Sequence, residues 1–221
     1  MQQLLGQIFL NISFGLYLVL YLPQLFYNAT EKPFKNMSLI MHLMLLQAYS
    51  CDLFYALGRG MPWQYLSVSG IGICYLFIWQ TQWFLYNRKQ QTLLNIPLML
   101  SSLIIILWPS ILWYLHPKSP WQTHLQAWVS RILFIMHFLP QIVKYHRNEI
   151  QRNAISPYYL YLSLSLGLCD LLAAACLKWD TVNQMGSVVS FILKSYLYYQ
   201  MRVLSSNIRP GLSFLKTRSA Q

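Results

Sequence analysis

Seven stretches of this sequence are each long and apolar enough to cross a lipid bilayer, and they leave little chain for anything else. A spanning helix needs about 20 mostly apolar residues. The stretches cover 5–27, 37–57, 63–86, 93–115, 125–143, 157–177 and 181–203. The connections between them are too short to hold a soluble domain. A membrane barrel reads as alternating strands of about ten residues, and these runs are longer and continuous. Helices are then the remaining way to satisfy the backbone in lipid. Only 10% of the residues are charged, against about 25% in soluble domains.

The polar minority narrows the function classes. The net charge is +11, but the Lys and Arg residues lie between the apolar runs and form no basic domain. No nucleic-acid partner is expected. Cys51, Cys74, Cys169 and Cys176 sit inside apolar runs, with no Cys-x-x-Cys pair and no histidine at zinc spacing. They read as free thiols, and no metal or cofactor is predicted. No Lys or Arg precedes the first apolar run, so it lacks the charged start of a cleavable leader and is expected to persist as a helix. No nucleophile has a paired base and no phosphate loop occurs, so the chain does not read as an enzyme.

Orientation follows from where the cations fall. Numbering the loops alternately, one side receives Arg59, Lys118 and Lys178. The other receives Lys32, Lys35, Arg88, Lys89, Lys144, Arg147, Arg152, Arg202, Arg209, Lys216 and Arg218. Three against eleven predicts an outside N-terminus and a cytoplasmic C-terminus. The runs starting at Asn28 and Asn36 then face the cytoplasm and are not read as glycosylation sites. A basic segment at 205–221 suits attraction to anionic lipid. The short loops and plain tail suit a bacterial inner membrane.

The sequence also repeats itself. Tyr21-Leu22-Pro23-Gln24 matches Phe138-Leu139-Pro140-Gln141 at an offset of 117 residues. Cys51-Asp52-Leu53 matches Cys169-Asp170-Leu171 at 118, and Tyr75-Leu76 matches Tyr196-Leu197 farther on. Helices one to three therefore correspond to helices five to seven, with the fourth as linker. An odd helix between the halves gives them the same orientation, a parallel repeat about an axis along the membrane normal. The predicted units are 5–87, 93–115 and 122–204.

Two Pro-Gln pairs, each followed about 30 residues later by Cys-Asp-Leu, resemble the PQ-loop family, which includes cystinosin, the lysosomal cationic amino-acid exporters and, more distantly, the SWEET sugar transporters. The KDEL receptor shares the general fold. The resemblance covers about residues 10–205 and implies a seven-helix membrane protein of two three-helix bundles joined by a linker helix. It implies that Pro23 and Pro140 act as hinges for alternating access, with Gln24 and Gln141 beside them. In cystinosin-like members a coupling aspartate lies nearer the second Pro-Gln pair, where this chain reads Tyr161-Leu162-Ser163-Leu164. The Cys-Asp-Leu triplets look more like the Cys-Asn-Leu stretch of the cationic amino-acid exporters.

Proline removes a donor and clashes one turn back, which kinks a helix. Asp52 and Asp170 are costly in a bilayer and are expected to face a polar cavity or a partner. They are candidate sites for a cation or a proton. Arg131 and Lys194 break the symmetry, since Ile73 stands where Lys194 would fall in the first half. They are candidates for a substrate carboxylate or for pairing with the aspartates. Tyr75 and Tyr196 are included among substrate-binding candidates, and His42 and His137 as possible relay groups. The predicted function is transport of a small polar metabolite, most readily an amino acid or related zwitterion, with proton coupling. A receptor on the same fold, or a uniporter of a neutral sugar, are the alternatives.

Overall fold

The computed structural model describes residues 1–31, 37–87, 92–116, 119–147, 155–179 and 181–218, with the backbone alone at 86, 87, 92–99, 181–183 and 204–218. Lys32, Lys35, Asn36, Arg88, Lys89, Lys118, Arg152, Asn153 and Ala154 lie outside the described residues, as do the side chains of Arg209, Lys216 and Arg218.

The described residues form nine helical segments: α1 (Gln2–Leu20), α2 (Leu22–Glu31), α3 (Leu39–Arg59), α4 (Trp63–Asn87), α5 (Thr92–Leu115), α6 (Pro120–Met136), α7 (Leu139–His146), α8 (Pro157–Cys176) and α9 (Thr181–Arg218). They make seven rods, because α1 with α2, and α6 with α7, are each one rod broken near its end. The breaks have one cause. Pro23 and Pro140 have no N–H to give Val19 and Met136, one turn back. The ladder restarts in the same way in both rods: Leu25 N donates to the Tyr21 carbonyl at 2.9 Å, and Ile142 N to the Phe138 carbonyl at 2.9 Å. By length and apolarity, Gln2–Glu31, Leu39–Arg59 and Pro157–Cys176 each suffice to cross a bilayer.

Two boundaries differ most from the sequence expectation. The fifth rod starts at Pro120 rather than 125, because Ser119-Pro120 is a helix-start signal with proline already at the helical φ. The segment from 205 continues α9 as helix to Arg218 rather than leaving it.

Helix ends repeat as well. α3 closes at Gly60, φ 60°, with Met61 N reaching the Ala56 carbonyl at 3.0 Å. This is the left-handed cap that glycine favours. α8 closes with the matching bond, Trp179 N to the Ala174 carbonyl at 3.0 Å, but with Lys178 at φ 53°.

The halves pack across one another. α1 lies against α8, and α3 against α6. Under the repeat these are the same contact made twice. Within each half the third rod touches both others, α4 with α1 and α3, and α9 with α6 and α8. The linker α5 packs on α3. Lipid offers no hydrophobic drive between helices, so close approach must come from small residues and polar bonds. Ala48, Ala56, Ala127, Ala173 and Ala174 are accordingly buried. A Cβ at Gly72 would stand 2.7 Å from the Tyr49 ring, so α3 and α4 meet there at glycine distance.

Candidate functional site

Between the halves lies a cavity of about 100 Å³, room for several waters or one small solute. Asp52, Asp170, Arg131 and Lys194 all line it. Four charges from four separate spans thus meet in one place.

Asp52, on α3, is buried and heavily bonded. It accepts from Tyr65 Oη at 2.8 Å, Ser69 Oγ at 2.7 Å and Ser130 Oγ at 3.2 Å. Arg131 Nη2 stands 3.6 Å from its Oδ1 and also donates to the Tyr65 hydroxyl. Tyr65 therefore sits between the two charges, accepting from one and donating to the other. The room for Arg131 comes from Gly186, which matches Tyr65 in the second half. A Cβ there would approach Arg131 Cδ to 3.2 Å.

Asp170, on α8, has a different setting. It accepts from Ser13 Oγ. Ser13 and Ser130 are themselves repeat partners at an offset of 117. Each aspartate thus takes a hydroxyl from the first rod of the opposite half. Lys194 does not close an ion pair with Asp170. Its ammonium donates to the Ser163 carbonyl at 3.3 Å. Among the described residues Arg131 with Asp52 is the ion pair of this cavity. One wall is neutralised internally. The other offers an anion and a cation held by neutral groups.

The Pro-Gln end of the cavity is closed by rings. Tyr21 and Tyr49 share a hydroxyl bond of 2.7 Å, Tyr159 stands 5.6 Å from Tyr21, and Phe138 is buried. At the opposite end Gln64, Arg131 and Trp179 are only part-buried. Below the ring layer the two glutamines make a reciprocal clasp. Gln24 Oε1 accepts from Ser156 N at 2.8 Å, and Gln141 Oε1 accepts from Ser38 N at 3.0 Å. Ser156 and Ser38 are the N-caps of α8 and α3, whose first amides have no helical acceptor. Each glutamine therefore caps a helix of the opposite half.

A Leu at either glutamine is expected to leave a buried amide unpaired, at about 1–3 kcal/mol each. Thermal unfolding in detergent reads this directly. Gln24→Leu also removes the bond that Gln24 Nε2 donates to Asn28 Oδ1 at 2.8 Å. A loss under about 0.5 kcal/mol in both would remove the clasp from the stability of this end.

The tyrosine expectations part ways with the structure. Tyr196 is 47% exposed on the outside of α9 and does not line the cavity. Tyr75 does not line it either, and its hydroxyl donates to the Leu18 carbonyl at 2.8 Å. Tyr75 instead packs on Tyr21, with the ring centroids 5.3 Å apart. His137 lines the cavity at the second break, whereas His42 is packed edge-on to Trp79 away from it. Asn28 is fully buried inside α2, bonded to Gln24 and Gln82, which leaves no access for a glycan. The cysteines are free among the described residues, which hold no metal-ligand cluster.

Ser13, Ser130, Tyr65 and Ser69 are the site residues that sequence reasoning missed. Ser13 and Ser130 carry the same 117 offset as the Pro-Gln pairs, so aligning the first rods over their full length finds them. Ser69 matches Ser190, which also lines the cavity, at the offset of 121 that pairs Tyr75 with Tyr196, whereas Tyr65 carries no such signal, because Gly186 stands at its match.

A family model described as PQ loop repeat matches residues 5–65. A solved structure similar to this chain is that of a eukaryotic SWEET transporter at 3.7 Å resolution. The TM-score is 0.68 at 15% identity, over 93% of this chain and 99% of that one. Identity this low speaks for the seven-helix fold. Comparison with curated protein sequences gave no match.

Proposed function

Because the chain is a PQ-loop repeat protein with the seven-helix SWEET-type fold, we propose that it transports a small zwitterion, of the amino-acid class, through the central cavity by alternating access. The observation that carries this reading is the unequal pairing of the four charges. Arg131 and Asp52 satisfy each other, while Asp170 and Lys194 are held by a serine hydroxyl and a backbone carbonyl. Charges inside a membrane protein mark substrate or ion pathways. A zwitterion supplies both missing partners at once, its ammonium to Asp170 and its carboxylate to Lys194. A carboxylate facing a charged donor forms the stronger class of hydrogen bond.

The broken rods fit the motion. Pro23 and Pro140 each stand just beyond a break, on the same end of the bundle, and the glutamine clasp lies beside them. Releasing the clasp and the Tyr21–Tyr49 bond opens that end, and the cation excess supports its being cytoplasmic. Proton coupling enters through Asp170, which has no ion-pair partner among the described residues.

A neutral sugar is the second reading. It is favoured by the aromatic lining, where Tyr17, Tyr49, Phe134 and Trp179 face the cavity. Proteoliposomes preloaded with unlabelled solute and given labelled amino acids or sugars separate the two. Exchange of a zwitterionic amino acid but not of a sugar is expected. Exchange of sugars alone would overturn the zwitterion reading, and saturable binding without any exchange would replace transport by reception.

A further inference from the structure

The two breaks are supported unequally, and α4 makes the difference. It reaches the first broken rod on both sides of the fault. Before the break, Tyr75 Oη donates to the Leu18 carbonyl at 2.8 Å. At the break, the Tyr75 ring lies against Tyr21, with centroids 5.3 Å apart. Beyond the break, Gln82 Nε2 donates to the Leu25 carbonyl at 3.2 Å. Gln82 Oε1 also accepts from Asn28 Nδ2 at 3.3 Å, one turn farther along α2.

The spacing turns these bonds into a splint. Tyr75 and Gln82 are seven residues apart on one continuous helix, a separation of about 10 Å at the helical rise. Leu18 and Leu25 are also seven apart, but with Pro23 and the break between them. A bend at Pro23 changes the distance between the two carbonyls, while α4 holds the two donors at a fixed separation. Flexing the first rod therefore stretches one bond or the other.

The second half is built differently. At the offset of 121 that pairs Tyr75 with Tyr196, Val203 stands for Gln82 and has no polar side-chain atom. Tyr196 is 47% exposed, and among the described residues its hydroxyl makes no bond to Ile135, the match of Leu18. Phe138, without a hydroxyl, stands for Tyr21. Past the second break, Gln141 Oε1 accepts from Ser38 N, and Lys144 Nζ donates to the Met37 carbonyl at 3.1 Å. Both of those partners belong to the opposite half, across the boundary that opening would separate.

We propose that Tyr75 and Gln82 are positioning residues that splint the first break, so that the Pro-Gln end of the cavity opens by bending of the second rod at Pro140, while α1 and α2 move as one body with α4. The place of this bend in a transport cycle rests on the alternating-access reading. The stiffness of each break is a property of the chain and is measured without a substrate.

Double electron–electron resonance on the full chain in nanodiscs, with its four cysteines changed to alanine, reads both breaks. One spin-label pair, Ala29→Cys with Leu85→Cys, joins α2 to α4, and the other, Val143→Cys with Tyr199→Cys, joins α7 to α9. All four positions are exposed. The α2–α4 distance distribution is expected to be narrower than the α7–α9 one by about twofold. Tyr75→Phe with Gln82→Leu removes both donors and keeps the ring on Tyr21. It should widen the α2–α4 distribution by about twofold and leave the α7–α9 one unchanged. Equal widths before this change, or an α2–α4 width that the double variant does not move, would overturn the splint. Widening of both pairs together would mean a loosened fold and would overturn it as well. A narrow first pair and a broad second pair in a protein that exchanges no solute would keep the splint and remove the transport reading instead.

Discussion

Asp170→Asn is expected to lower uptake of the zwitterionic substrate by roughly 30- to 100-fold. The figure corresponds to about 2–3 kcal/mol, the upper range for a hydrogen bond to a charged group. Asparagine keeps the shape and the acceptor for Ser13 Oγ. What it removes is the negative charge that a substrate ammonium would meet. Lys194→Met should produce a loss of similar size from the carboxylate end. Neither change should lower the melting temperature by much, because neither charge is half of an ion pair among the described residues. Initial uptake rates in proteoliposomes, read beside thermal unfolding, separate the two effects. Full uptake in both variants would take Asp170 and Lys194 out of the mechanism. Loss in Asp170→Asn alone would leave a cation or a proton, not a zwitterion, as the species recognised.

Arg131→Met should act in the opposite manner, with its main effect on folding. Asp52 would then stay as a buried carboxylate without its cation, a situation that costs about 3–5 kcal/mol when one partner of a buried pair is removed. The hydroxyls of Tyr65, Ser69 and Ser130 still reach Asp52 and set the loss toward the lower part of that range. The double variant Arg131→Met with Asp52→Asn removes both charges and should recover most of the stability. The comparison is a double-mutant cycle, read by unfolding in mixed micelles. A single variant that loses less than about 1 kcal/mol would place the pair in water rather than in the protein. The two experiments together test a division of labour. Four charges line one cavity, but one pair holds the structure and the other is left for the solute.

Much of this architecture was legible in the chain itself, because its causes are local. A run of about 20 apolar residues has to become a helix in lipid. Pro23 and Pro140 have to break their rods, because the missing N–H is a property of the residue. Ser38, Ser119 and Ser156 stand at the starts of α3, α6 and α8; Ser119 and Ser156 precede a proline, whereas the glutamine caps on Ser38 and Ser156 are visible only in the fold. The matching offsets near 117 reveal two halves, and the cost of burying charge singles out Asp52, Arg131, Asp170 and Lys194. Tyr75 and Tyr196 went astray for a related reason. An aromatic residue on a spanning helix serves lipid and cavity equally well, so composition cannot say which way it faces.

The seven rods, the two breaks, the repeat and the four embedded charges follow from local chemistry along the chain. Which charge meets which depends on how the rods pack. Arg131 goes to Asp52, on a rod some 80 residues away in sequence, and Lys194 goes to a carbonyl rather than to its near neighbour Asp170. The same holds for Gln24 and Gln141, whose acceptor oxygens cross to Ser156 and Ser38 in the opposite half. Hydropathy reports whether a position tolerates lipid. It carries no information on the partner of a position that does not, because that partner is chosen when α1 docks on α8 and α3 on α6, and small residues let the backbones come close enough for hydroxyls and amides to bond.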